Sequence, residues 1–161
     1  MKTFQSDYKL YLKMSQSEAH LELVRQVAVQ IERRYPGASI VADIQHNPGD
    51  PIPPMIGGFR PDVYATLQNS SPFIIIAEAK TDADLYVSHT NQQVSAFIDH
   101  IEHGCGGMFI LATFGQSADH AKTILRFTWQ ASRISNATLV VFDSCDFWKL
   151  DSQTGIVWHL I

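Results

Sequence analysis

The chain has 161 residues, 12 basic against 16 acidic side chains for a formal charge of −4, and 45% hydrophobic residues. That is the length of one domain with enough apolar content for a core, which excludes a disordered chain. The acidic balance excludes an indiscriminate nucleic-acid binder but not a local basic groove, because the distribution of charge matters more than its sum.

Residues 16–34 have the spacing of an amphipathic helix. Ser15 or Ser17 can cap it, and Val24, Val27, Ala28 and Ile31 form an i, i+3, i+4, i+7 stripe. Arg33 and Arg34 followed by Pro36 and Gly37 supply the stop. Ser39 to Gln45 reads as a strand. From His46 to Arg60, Pro48, Pro51, Pro53 and Pro54 stand among Gly49, Gly57 and Gly58, so the stretch is a long loop of the kind that often carries function. Arg60 to Gln68 reads as a second strand and Asn69 to Pro72 as a turn. Phe73 to Lys80 (FIIIAEAK) is a continuous apolar run ending in two charges, as expected of a strand covered on both faces.

Thr81 to Tyr86 connects to a helix over about 88–103, with Val94, Phe97, Ile98 and Ile101 on its buried side. Gly104, Gly106 and Gly107 end it. Met108 to Thr113 is another buried strand, 117–134 another helix, Thr138 to Asp143 another strand, and Ile156 to Ile161 a candidate terminal strand. The order gives a single α/β domain over residues 1–161. It predicts helix, three strands, helix, strand around a mixed central sheet flanked by helices: a meander first, then crossovers that make later strands parallel.

Several classes of function lack support. No stretch approaches the roughly 20 apolar residues of a membrane span. The N-terminus interrupts its apolar positions with Asp7, Lys9, Lys13 and Glu18, unlike a secretory signal. Cys105 and Cys145 lack metal-ligand spacing and are expected as buried thiols in a reducing cytoplasm. The seven histidines contain no zinc-type pairing, and His100 and His103 suit a helix C-terminus electrostatically. Neither a nucleophile elbow nor a P-loop is present. Gly104-Cys105-Gly106-Gly107 follows a helix and precedes a strand, the reverse of a phosphate cradle.

Alternation along the FIIIAEAK strand puts Ile74, Ile76, Glu78 and Lys80 on one face. Pro61-Asp62 lies on the preceding strand, with fifteen residues between Asp62 and Glu78. Antiparallel pairing would bring Asp62 opposite the end that carries Glu78. Two carboxylates converging there make a hard oxygen site suited to Mg²⁺ or Mn²⁺, and a lysine beside them can orient an attacking water. Those roles fit phosphodiester hydrolysis.

Pro61-Asp62 followed by Glu78-Ala79-Lys80, set in helix–three strands–helix–strand, resembles the PD-(D/E)xK nuclease superfamily, also called restriction-endonuclease-like, over about residues 16–143. The resemblance implies that Asp62 and Glu78 bind the metal and that Lys80 assists the nucleophilic water. It implies a restriction-endonuclease-like core, a nucleic-acid substrate (DNA ahead of RNA), and frequent action as a homodimer. Several members place a Gln on the helix after the E-x-K strand, sometimes as Q-x-x-x-Y. Gln93 to Phe97 matches with Phe for Tyr, and Gln92 is a competing register.

Many members also add an acid from the first helix, where Glu18, Glu22 and Glu32 are the alternatives. At roughly 100° per residue from Val24, Glu22 falls nearly opposite the stripe, Glu18 about 120° away and His20 about 40° away. Glu18 is the best-placed acid and His20 a plausible partner for it.

Arg60, immediately before Pro61, is placed to touch a phosphate. Lys122, Arg126 and Arg133 on a later helix read as a solvated face, or alternatively as a stripe along a nucleic-acid backbone. Trp129, Phe147, Trp148 and Trp158 read as core or subunit-interface residues. Only 17% of residues are charged, which leaves neutral surface for a second subunit. A non-catalytic module that keeps the fold and binds nucleic acid or protein is the alternative function.

Overall fold

The apolar runs that begin near residues 73, 107 and 137 have no polar side to turn to water, so each needs cover on both faces. The computed structural model supplies it. It describes residues 16–44, 47–68, 72–151, 154 and 157–161. The N-terminal segment 1–15 with the candidate cap Ser15, and Gln45, His46, turn residues 69–71 and Ile156, lie outside the described residues.

The elements are α1 (Gln16–Arg34), β1 (Ser39–Ala42), β2 (Val63–Gln68), β3 (Pro72–Ala79), α2 (Asp82–Leu85), α3 (Ser88–Glu102), β4 (Gly107–Ala112), a 3₁₀ turn (Gly115–Ser117), α4 (Ala118–Ser132), β5 (Ala137–Phe142), β6 (Phe147–Leu150) and β7 (Trp158–Leu160). One mixed sheet contains all seven strands in sequence order. The β1–β2–β3 and β5–β6–β7 pairings are antiparallel, while β3–β4–β5 are parallel. The α/β class, the meander and the later parallel crossovers therefore follow the expectation from sequence.

Alternation then separates two cores. On one face, Leu23, Val24, Val27 and Ile31 of α1 pack on Val63, Ile75, Ala77, Ile110 and Val140. On the other, Val94, Phe97, Ile98 and Ile101 of α3 and Ile124 and Leu125 of α4 pack on Ile76, Phe109, Leu111 and Val141. Among the described residues, no helix is long and apolar enough to cross a membrane.

Four expectations need correction. Strand β6 arises where aromatic residues alone were read. Asp143 accepts hydrogen bonds from the backbone N–H groups of Cys145 (2.9 Å) and Asp146 (2.7 Å), and Ser144 takes a positive φ of 73°. That tight turn sends Phe147–Leu150 back antiparallel to β5. Ser17 lies inside α1 rather than capping it. Cys105 and Cys145 are exposed thiols and not buried ones, because each sits in a turn at the sheet's periphery. Arg133 has left α4 as its C-cap at φ 47°, so the basic run is broken, and Lys122 lies 4.2 Å over the Trp148 ring rather than free on a solvated face.

Candidate active site

The register of the first hairpin sets the site. Val63 pairs with Ala77, so the next antiparallel step brings Asp62 opposite Glu78. The Asp62 backbone N–H donates to Glu78 Oε2 at 3.3 Å, and the Ala79 N–H donates to Asp62 Oδ2 at 2.8 Å. Each strand thus holds the other's carboxylate. Pleat alternation points Glu78 and Lys80 to the same side, where Lys80 Nζ stands 2.9 Å from Glu78 Oε1 and donates to Gln93 Oε1 on α3 at 2.7 Å. The Lys80 N–H donates to the Ala112 carbonyl at 2.9 Å, locking the strand end to β4.

This cluster is deeply set: Asp62, Glu78 and Lys80 are 9%, 3% and 9% exposed. Burial, and then the Asp62 charge, push the Glu78 carboxyl up to about 7, against the opposing pull of Lys80 and the hydrogen bonds it accepts. His20 of α1 places Nε2 3.1 Å from Asp62 Oδ1. That hydrogen bond raises the imidazole above its usual range, with burial working against it. Both crossover helices α3 and α4 begin at the end of the sheet where β3 and β4 stop, so their partial positive charges lie at the end that bears Glu78 and Lys80.

Of the residues singled out from sequence, the structure brings together Asp62, Glu78, Lys80 and Gln93. Gln93 is buried and Gln92 exposed, which settles the register. It does not bring in a carboxylate from α1. Glu18 is exposed in the first turn, Glu22 accepts from Gln26 at 3.1 Å, and Glu32 is exposed near the far end. His20, on the inward side of the helix, occupies the position expected of Glu18. Arg60 is exposed two residues before Asp62.

Sequence reasoning missed three features. The first is α2, held by Thr81 Oγ1 donating to Asp84 Oδ2 at 2.9 Å and Ser117 Oγ donating to Asp82 Oδ1 at 2.7 Å. The second is an open cleft of about 580 Å³ lined by Ser17, His20, Leu21 and Asp84. The third is Thr113, fully buried, whose hydroxyl has no hydrogen-bond partner among the described residues. It follows Ala112, which pairs with Ala79, and so stands beside Lys80 in register. The only signal for Thr113 was a polar residue closing an apolar strand.

Among the described residues there is no group of three or more His, Cys, Asp or Glu side chains placed to hold a metal ion. The donor set that does exist, two carboxylates, matches what Mg²⁺ takes from proteins, since it keeps several waters and substrate oxygens. Burial and then the adjacent Asp62 charge raise Glu78, and a divalent cation between the two carboxylates would offset both. The residues present fit such an ion. No protein-family model, no curated protein and no solved structure matches this chain.

Proposed function

We propose that the protein is a metal-dependent nuclease that hydrolyses phosphodiester bonds of nucleic acid, DNA in preference to RNA, on a restriction-endonuclease-like core. One observation carries the reading: a buried Asp62–Glu78 pair at the mouth of the sheet, with Lys80 bonded to both Glu78 and Gln93. Asp62 and Glu78 would hold Mg²⁺ or Mn²⁺, which supplies charge neutralisation at the phosphate and an acidified water.

The chain's own groups do the rest. Lys80 carries three N–H donors, and Glu78 and Gln93 take two, so one remains to orient the water or to meet charge developing on a phosphate oxygen. Gln93 fixes the direction of that donor. His20 and the Ala79 N–H each hold one oxygen of Asp62, which fixes the plane of the carboxylate. Catalysis by positioning and electrostatics requires no covalent intermediate. Arg60, exposed at the approach to Asp62, suits a backbone phosphate. A homodimer would let two such sites address two strands.

That no group of three or more His, Cys, Asp or Glu side chains is placed to hold a metal among the described residues favours one second reading, a non-catalytic module that binds nucleic acid or protein. A single experiment separates the two. Labelled single-stranded, duplex and branched DNA and RNA are incubated with wild type, Asp62→Ala and Lys80→Ala in Mg²⁺ and in Mn²⁺. Cleavage by wild type that disappears in both variants is the expected result. Cleavage that persists in the variants refutes the assignment, and no cleavage together with no Mn²⁺ binding transfers the reading to the binding module.

A further inference from the structure

Tyr86 closes the short helix α2, two residues after Asp84, and its side chain is 66% exposed. Leaving a ring of that size in water forgoes about 2 kcal/mol of burial, yet its orientation is fixed. It stacks on His120 of α4, with ring centroids 4.1 Å apart and planes 21° from parallel. Only one face of Tyr86 is used by that stack. Both rings of the stack line an open cleft of about 450 Å³ that runs between α3 and α4 past Asn91, Ser95, Thr123 and Phe127.

Two properties of this cleft narrow its occupant. Its lining carries no Lys, Arg, Asp or Glu, so no permanently charged side chain there selects a phosphate or a charged peptide. What it offers is an aromatic face with amide and hydroxyl groups beyond it, which matches an uncharged planar ring with hydrogen-bonding edges. Position narrows it further. Asp84 lines the cleft beside His20, and Leu85 and Tyr86 line the second cleft. The single turn of α2 therefore contributes to both clefts, and His20, which lines the first, is bonded to Asp62 of the carboxylate site.

We infer that Tyr86, braced by His120, is a stacking platform for a nucleobase next to the scissile phosphate, and that the substrate is single-stranded or locally unpaired nucleic acid. This inference rests on the nuclease reading above and adds the substrate class to it. A base within a duplex has both faces occupied by its neighbours, whereas an unpaired base has a face free for Tyr86. The stack on His120 holds the ring in place before binding, so little side-chain freedom is lost when the base arrives.

The test is fluorescence anisotropy of full-length protein with a labelled oligothymidine strand, with Ca²⁺ replacing Mg²⁺ so that the strand stays intact. A hairpin duplex and an oligothymidine carrying abasic positions are run in parallel. Wild type should bind the single strand more tightly than the duplex. Tyr86→Ala should weaken single-strand binding about 5- to 150-fold, as loss of one stacked base does, at about 1.4 kcal/mol per tenfold. Tyr86→Trp should retain it, the slope of affinity against salt should not change, and abasic positions should erase the difference between wild type and Tyr86→Ala. Tyr86 is exposed, so the variant keeps the fold. Wild-type affinity in Tyr86→Ala overturns the platform, and if cleavage is still lost in Asp62→Ala the nuclease reading survives alone. Absence of binding to every oligonucleotide overturns the platform and the nucleic-acid reading together.

Discussion

Glu78 makes the free protein's stability depend on pH in a direction that a bound cation should oppose. Its carboxyl is 3% exposed, and burial followed by the Asp62 charge carries it from an ordinary 4.5 to about 7. The folded state therefore holds a proton that the unfolded chain has released. A carboxyl raised in this way stabilises the fold fully below about 4.5, and that contribution is lost as pH climbs through about 7. At roughly 1.4 kcal/mol per pH unit, the interval from 4.5 to 7 amounts to about 3 kcal/mol for a group this buried. His20 acts with the same sign: raised by Asp62, it stabilises below its unfolded value and loses that contribution as pH passes its folded one.

Urea unfolding at pH 4.5, 6, 7 and 8 in chelator, followed by tryptophan fluorescence, should show this loss on top of the background from other groups. Glu78→Gln, which cannot ionise, should flatten the profile by about that amount. Wild type in Mg²⁺ should lose less than in chelator, because the cation favours ionised Glu78. Identical pH profiles for wild type and Glu78→Gln would refute the electrostatic account of the site.

Other consequences concern neighbouring parts of the fold. Gln93→Leu keeps the bulk on α3 but removes the acceptor of Lys80, so cleavage should fall about tenfold, about 1.4 kcal/mol in the barrier, with binding of uncleaved strand unchanged. An unaltered rate would show that Gln93 does not aim Lys80. Glu102, at the end of α3, accepts four hydrogen bonds from Ser135, Asn136 and Ala137 at 2.7–2.9 Å. Two of those three residues are exposed and recover water, so Glu102→Ala should cost about 2 kcal/mol by urea unfolding. Burial opposes ionisation of Glu102 but the four hydrogen bonds outweigh it, so its carboxyl is lowered. Its contribution should be present at neutral pH and vanish as pH falls through the folded value. Gly107→Ala would put a Cβ 2.0 Å from the Ile74 carbonyl oxygen, which forces β3 and β4 apart. A loss of about 2–3 kcal/mol is expected, and a wild-type urea midpoint would contradict it.

Much of the fold was legible because it depends on short-range pattern. The stripe Val24, Val27, Ala28, Ile31 and the runs beginning near 73, 107 and 137 carry their periods openly, and the observed elements begin and end within a few residues of the expected ones. Strand β6 escaped because its cause is a turn, the Asp143 carboxylate gathering two N–H groups, and not a period in FWKL itself. The exposure of Cys105 and Cys145 escaped for a similar reason: residue type favours burial, and position in a turn overrides it.

Within the site the division is sharper. The sequence by itself determined which side chains share a face, since pleating sends Glu78 and Lys80 the same way, and that Asp62 stands one hairpin from Glu78. Only the tertiary structure decided what reaches them from elsewhere. His20 rather than Glu18 meets Asp62, Gln93 rather than Gln92 meets Lys80, and Tyr86 meets His120 across α2 and α4. Each of those contacts joins separate elements, and it depends on the rotation and offset of a helix against the sheet. Each residue advances a helix by about 100°, so one step exchanges Gln92 for Gln93 and two steps exchange Glu18 for His20. The hydrophobic stripe constrains that angle only to the width of a helix face, and packing of α1 and α3 on the two sides of the sheet fixes the remainder.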